Sequence, residues 1–180
     1  VCGLSLGEYS ALSAAGVFDP ETAIQVVRER GLAMEKAAEG VESAMMAILG
    51  LEREPLLDIC VGCDGYVSIA NYNCPGQLVI AGEKKAVEEA GQKALDHGAR
   101  RAVPLNTSGP FHTKLLKDAS TRLHEVFKNV KFHEMNVPVI FNCTGKELEN
   151  CSVQDMLEKQ VMSPVYFEDS IRTMINNGVD

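Results

Sequence analysis

A serine between two glycines opens the chain. Gly3-Leu4-Ser5-Leu6-Gly7 fits Gly-x-Ser-x-Gly, the pattern in which a strand turns sharply into a helix and presents a serine at the bend. Glycines on either side spare such a turn the Cβ atoms it would otherwise drive into its flanks. The new helix would aim free N–H groups at the space over Ser5, so the Leu6 amide is a natural donor to a developing oxyanion. This arrangement suits nucleophilic acyl transfer, which needs a base for the serine proton. His112 has the best setting for that base. It lies in the loop 106–113, at or just before a helix start, where the dipole disfavours imidazolium and helps keep the ring neutral. A third group is Arg30, which helical periodicity places in the middle of an apolar arc formed by Ala23, Val26, Val27, Gly31, Ala33, Met34 and Ala37. Its neighbours three and four residues away offer no carboxylate, so a partner must come from elsewhere. Each group has a plainer reading when taken singly. The pentapeptide fits an ordinary loop, His112 a cap, and Arg30 a structural ion pair or a snorkelling side chain.

The elements that must position these groups follow from pattern. Glu8 suits the first turn of a helix that Ala11, Leu12, Ala14 and Ala15 carry to Gly16. Asp19 and Pro20 open a second helix as N-cap and first residue, running to about Ala38. From Ala44 the texture changes. The spacing predicts a strand over 45–49, a short helix over 55–60, and strands over 66–71 and 77–81 around an Asn73-Cys74-Pro75-Gly76 turn. It then predicts an amphipathic helix over 83–97, with Val87, Ala90, Ala94 and Leu95 inward, and a strand over 101–105. That order, βαββαβ, is the ferredoxin-like arrangement, a compact unit that can be inserted into a larger fold. After His112 comes a helix with Leu115, Leu116, Ala119, Leu123, Val126 and Phe127 on its apolar face. A buried strand is predicted over 137–141, ending in Asn142, and a helix over 167–176.

Composition excludes several functions. With 180 residues the chain is one domain, or one domain with a smaller insert. Its net charge of −8 argues against nucleic acid as a partner. No apolar run approaches a membrane span, so no membrane partner is expected. Six irregularly spaced cysteines point to reduced thiols in a cytosol-like compartment. Cys60-Val61-Gly62-Cys63 has no second pair and no histidine at ligand spacing, so no metal is expected. Only Val1 and Cys2 precede Gly3, where an elbow needs a strand, and the sequence stops at Gly178-Val179-Asp180. The expectation is a piece of a longer chain.

Five motifs in one order, spread over essentially the whole chain, carry a family resemblance. Gly3-Leu4-Ser5-Leu6-Gly7-Glu8-Tyr9-Ser10, Arg30-Gly31, Asn73-Cys74-Pro75-Gly76-Gln77, Gly109-Pro110-Phe111-His112 and Gln160 together resemble the malonyl-CoA:acyl carrier protein transacylases of fatty acid synthesis. The resemblance implies an α/β fold. An α/β-hydrolase-like large subdomain (1–43 and 108–180) would be interrupted by a ferredoxin-like small subdomain (44–107), with the active site between them. Ser5 then matches the acylated nucleophile and His112 its base, as a dyad without a carboxylate. Gln160 matches the residue whose main-chain carbonyl orients the histidine. Arg30 matches the arginine that grips the malonyl carboxylate, which supplies the missing partner. Leu6 N–H matches one oxyanion donor; the other comes from a glutamine loop outside this sequence. Asn73 and Phe111 fall at substrate-binding positions, and Phe111 resembles the pattern that selects malonyl over methylmalonyl.

The implied substrates are malonyl-CoA and the phosphopantetheine thiol of acyl carrier protein, with no cofactor, in a monomer of the cytoplasm or an organellar stroma. Lys114 and Lys117 are candidates for docking the carrier. Two departures from the family pattern are Leu4, where many members carry His, and Lys114, where many carry a small residue or Pro. Two other readings remain: a serine hydrolase or thioesterase on the same elbow, and a carrier-docking fragment without catalysis. The first leaves Arg30 unexplained. The second leaves unexplained why Ser5, His112 and Arg30 occur together.

Overall fold

The computed structural model describes residues 1–179 as a mixed α/β protein with a five-stranded sheet. Helix α1 (Leu6–Ala14) begins immediately after Ser5. Helix α2 (Pro20–Ala38) starts where Asp19 Oδ1 accepts the Thr22 N–H at 2.8 Å, with Pro20 at the first turn. It buries Val26, Arg30, Ala33, Met34 and Ala38 on one stripe and leaves Arg28 outside. The 3-10 turn Lys114–Leu116 leads into α5 (Lys117–Phe127), which packs against α2 through Leu116, Ala119, Leu123 and Phe127. Helix α6 (Val153–Gln160) is opened by a capping box between Ser152 and Asp155 and adds Met156 and Leu157 to the same core.

The sheet has the order β4-β1-β3-β2-β5. Strands β1 (Ser43–Leu49), β2 (Val67–Cys74), β3 (Gln77–Glu83) and β4 (Arg101–Leu105) pair antiparallel. Helices α3 (Arg53–Val61) and α4 (Lys84–Asp96) cover one face, over Met46, Ile48, Ile69, Tyr72, Leu78 and Ile80. The other face buries Met45, Ala70, Val79 and Ala81, with Phe111 packed on them. Phe111 also touches the helical core, so it lies at the junction between sheet and helices.

Strand β5 (Val165–Tyr166) joins β2 in parallel, a pairing that two residues carry no periodicity to announce. It leads into α7 (Phe167–Asn176). Tyr166 stacks on Tyr72 at 4.8 Å, and Arg53 lies over the Tyr72 ring while pairing with Glu168 at 2.8 Å and Asp169 at 2.9 Å. These contacts bind α7 to α3 and the sheet.

The structure corrects three expectations. Residues 137–141 form no strand, although Val139, Ile140 and Phe141 are buried. Their bonds go to Val1, through Ile140 N–H and Pro138 O, and to Lys146 in a lone bridge at Phe141. The β2–β3 turn is one residue later, at 74–77, because Asn73 belongs to β2. Leu95 is 39% exposed rather than inward, since Ala90, Gly91 and Ala94 already fill the α4 contact with the sheet. Among the described residues, no helix is long and apolar enough to cross a membrane.

Candidate active site

Ser5 occupies a backbone conformation few L-residues adopt, with φ 51° and ψ −103°. Gly3 makes it possible, because a Cβ there would fall onto the Gly7 carbonyl. Gly7 itself faces open space, so the clearance expected on both sides of the serine is needed on one. The turn closes with Gly7 N–H donating to Leu4 O at 2.8 Å and Glu8 N–H to Ser5 O at 3.1 Å. The Leu6 N–H has no acceptor among the described residues and remains available above the serine.

Across the cleft, His112 also sits at positive φ, 61°, and is 4% exposed. Its own N–H donates to Val161 O at 3.2 Å. The ring spans two partners: Nδ1 is 2.8 Å from Gln160 O, and Nε2 is 2.7 Å from Ser5 Oγ. A carbonyl can only accept, so Nδ1 carries the proton and Nε2 offers its lone pair to the serine hydroxyl. Burial pushes the His112 pKa down to about 4, and Arg30 acts in the same direction against the pull of the Gln160 carbonyl. The expected helix-dipole cause does not apply. A 3-10 turn intervenes, and α5 begins only at Lys117.

Arg30 is 6% exposed and projects from the buried stripe of α2. Its Nη2 donates to Ser5 Oγ at 3.0 Å and to Gln160 Oε1 at 3.1 Å, and its guanidinium lies 5.4 Å from the centre of the Tyr9 ring. Its Nε has no acceptor among the described residues, and no carboxylate pairs with it. Burial lowers its pKa. Glu8, the acid whose charge acts on Arg30, is fully buried, and burial pushes its carboxyl up to about 8. Arg30 is therefore a cation beside the serine that still lacks an anion. Gln160 uses both ends of its side chain here, since its Nε2 donates to Ser5 O at 2.9 Å.

The structure thus brings Ser5, Leu6, Arg30, Phe111, His112 and Gln160 to one place. A cleft of about 670 Å³ opens over Ser5, Arg30 and His112, walled by Met45, Asn71 and Phe111. Asn73 does not line it. A register shift between Ile69 and Asn71 turns the buried Asn71 to the cleft, and Asn73 falls at a second irregularity nearer the turn. Sequence reasoning also missed Asn142 and undervalued Glu8, which was read as an acid at a helix end. Asn142 Oδ1 accepts the Ser5 N–H at 2.6 Å and its Nδ2 donates to Gly3 O at 2.8 Å, while its own N–H donates to the Glu8 carboxyl. A polar residue closing an apolar run was the only available sign.

A serine hydrogen-bonded to an imidazole thus shares one cleft with a guanidinium that has no carboxylate partner among the described residues. The acyl transferase domain family matches residues 1–180, and the chain belongs to that family. The chain is 45% identical, over 98% of its length, to the malonyl CoA-acyl carrier protein transacylase of Bacillus subtilis, of which it covers 57%. It is 39% identical to the protein of the same description from Haemophilus influenzae, over 99% of this chain and 58% of the relative. Among solved structures, the acyl-carrier-protein S-malonyltransferase of Burkholderia pseudomallei superposes with a TM-score of 0.96 at 37% identity, covering 99% of this chain and 59% of that one. A malonyl-transacylase solved in complex with its type II PKS acyl-carrier protein gives a TM-score of 0.94 at 39% identity, covering 99% of this chain and 59% of that one. The chain therefore spans somewhat under three fifths of the length of these relatives.

Proposed function

We propose that the chain carries the reaction centre of a malonyltransferase that moves malonyl from malonyl-CoA to the phosphopantetheine thiol of acyl carrier protein. The observation that carries this reading is Arg30, a buried cation that has no carboxylate partner among the described residues and whose Nη2 lies 3.0 Å from Ser5 Oγ. A guanidinium in that position costs binding energy for a neutral acyl group and repays it for one ending in a carboxylate. The relatives described as malonyl transacylases support the same substrate.

In the first half-reaction His112 Nε2 takes the Ser5 proton and Oγ attacks the thioester carbonyl. Leu6 N–H donates to the oxyanion, the C–S bond breaks, and the proton passes from His112 to the departing CoA thiolate. In the second, the carrier thiol gives its proton to His112 and its sulfur attacks the malonyl-serine ester. The C–O bond breaks and Ser5 regains its proton. A malonyl carboxylate on Arg30 also offsets the positive charge that depresses His112, so substrate binding raises the basicity of the group that must act next. The serine, imidazole and guanidinium supply nucleophile, base and anion clamp, so this reading calls on no cofactor or metal.

The architecture supports division into an α/β-hydrolase-like part, residues 1–43 and 108–180, and a ferredoxin-like part, residues 44–107, with the cleft between them. The β4-β1-β3-β2 antiparallel order with two helices on one face carries the second assignment. We expect a monomer, with carrier docking near the exposed Lys114 and Lys117.

The test is transfer itself. The full chain incubated with malonyl-CoA and holo-acyl carrier protein should yield malonyl-carrier by mass, with parallel double-reciprocal plots. Free malonate without carrier product would favour a hydrolase. Carrier binding without turnover would favour a docking role.

A further inference from the structure

We propose that Asn142 is the positioning residue of the nucleophile elbow, a clamp that holds Ser5 in its strained conformation. This rests on Ser5 being the nucleophile. Asn142 is fully buried and lies clear of the cleft, yet each of its polar groups is engaged. The side-chain amide bridges Gly3 O and the Ser5 N–H at 2.8 and 2.6 Å, one bond on each side of Leu4. Its orientation is fixed by chemistry, since a flipped amide would set N–H against N–H and oxygen against oxygen. The Asn142 N–H donates to Glu8 on α1, and its carbonyl accepts the Tyr166 N–H of β5 at 2.8 Å.

These bonds tie the approach to Ser5, the helix after it and the sheet edge to one side chain. At φ 51° and ψ −103° Ser5 would relax if its neighbours allowed it, and strained residues persist only where surrounding contacts over-determine them. The His112 contact cannot do this alone, because it holds the tip of the side chain and leaves the backbone free. The clamp acts on the backbone, taking the Ser5 N–H and Gly3 O, while Gln160 Nε2 and Glu8 N–H hold only the Ser5 carbonyl. It sets where Oγ points and keeps the following Leu6 N–H aimed at the same space. Glu8 serves it from behind: its buried carboxyl accepts the Asn142 N–H.

The experiment compares wild type, Asn142→Ala and Asn142→Asp in the full chain. Ser5 labelling by a fluorophosphonate and single-turnover acylation by malonyl-CoA are followed by intact mass, and melting is recorded beside them. Asn142→Ala should label roughly 10- to 100-fold more slowly, the scale set by a misplaced reacting atom, with the half-saturating malonyl-CoA concentration unchanged. Asn142→Asp keeps the acceptor for Ser5 N–H and loses the donor to Gly3 O, so it should recover part of the rate. A folded Asn142→Ala that labels within about threefold of wild type would overturn the proposal. If the alanine variant does not fold, the near-isosteric aspartate decides: wild-type rates contradict the clamp, and a several-fold loss at unchanged melting temperature supports it. The fluorophosphonate carries no malonyl group, so its rates judge the clamp separately. Wild-type Ser5 that reacts with the probe and ignores malonyl-CoA would sink the malonyl reading instead.

Discussion

The acid limb of acylation should lie far below the ordinary range for histidine. Burial holds His112 at a pKa of about 4 in the free protein, where an unperturbed ring titrates near 6.5. The base must be neutral to take the Ser5 proton, so activity is gained as pH rises through the folded value. At pH 5.5 a ring with a pKa of about 4 is roughly 97% neutral, against about 9% for the ordinary value, a difference of about tenfold in competent protein. The assay is kcat/KM for Ser5 acylation by malonyl-CoA across pH 4 to 8, because that ratio reports the free protein. Circular dichroism at each pH confirms that the chain remains folded. The check is needed because the same shift weakens the fold in acid. Between pH 6.5 and 4 the unfolded chain accepts a proton that the buried ring refuses, so stability falls as pH drops through that window. A flat profile from pH 5 to 7.5 is expected. A half-point between pH 6 and 7 would show an ordinary, solvated histidine and refute the argument from burial.

Four further outcomes follow from named contacts. Arg30→Ala should cut acylation by malonyl-CoA by roughly 100-fold while gaining on acetyl-CoA, a reversal read by competing the two thioesters; Arg30→Lys should not restore it, since a point charge does not reproduce the fork. Burial raises Glu8 to about 8, so the folded chain keeps a proton that the unfolded one loses above its ordinary value, and stability falls as pH rises towards 8. Glu8→Gln should remove this fall between pH 6.5 and 8, a slope of up to about 1.4 kcal/mol per unit in urea titrations. Gly3→Ala, with its Cβ on the Gly7 carbonyl, should cost at least about 2 kcal/mol and lower the melting temperature, whereas Gly7→Ala should not. Phe111→Ser opens the cleft wall beside His112 and should raise methylmalonyl-CoA use relative to malonyl-CoA by about tenfold, measured as a ratio of kcat/KM values.

The local features of the chain were legible in the sequence and the distant ones were not. Asp19, Pro20 and the apolar spacing marked α2 from cap to end, and the same spacing placed Arg30 on its buried side. The elbow was legible because five consecutive residues specify it. Pairings across the chain leave no such trace. Asn142 meets Ser5 from 137 positions away, and neither residue type nor period points to the contact. The run 137–141 looked like a strand because its apolar residues satisfy that pattern, yet its bonds go to Val1 and to a lone bridge at Lys146. Asn73 was assigned to substrate binding through the family resemblance and placed in the turn, whereas β2 runs on to Cys74 and Asn71, beside the irregularity after Ile69, lines the cleft instead. The neutrality of His112 was anticipated from the wrong cause. A helix dipole was legible in sequence, whereas the burial responsible comes from the packed fold.

The central claim is that Ser5 takes up malonyl from malonyl-CoA with His112 as its base and Arg30 as its clamp. The measurement that bears on it most directly is the intact mass of the full chain after mixing with malonyl-CoA alone, beside Ser5→Ala. One malonyl adduct per chain is expected, on Ser5 by peptide mapping and absent from Ser5→Ala. An adduct that survives in Ser5→Ala, or CoA and free malonate released with no adduct on wild type at any time point, would contradict it.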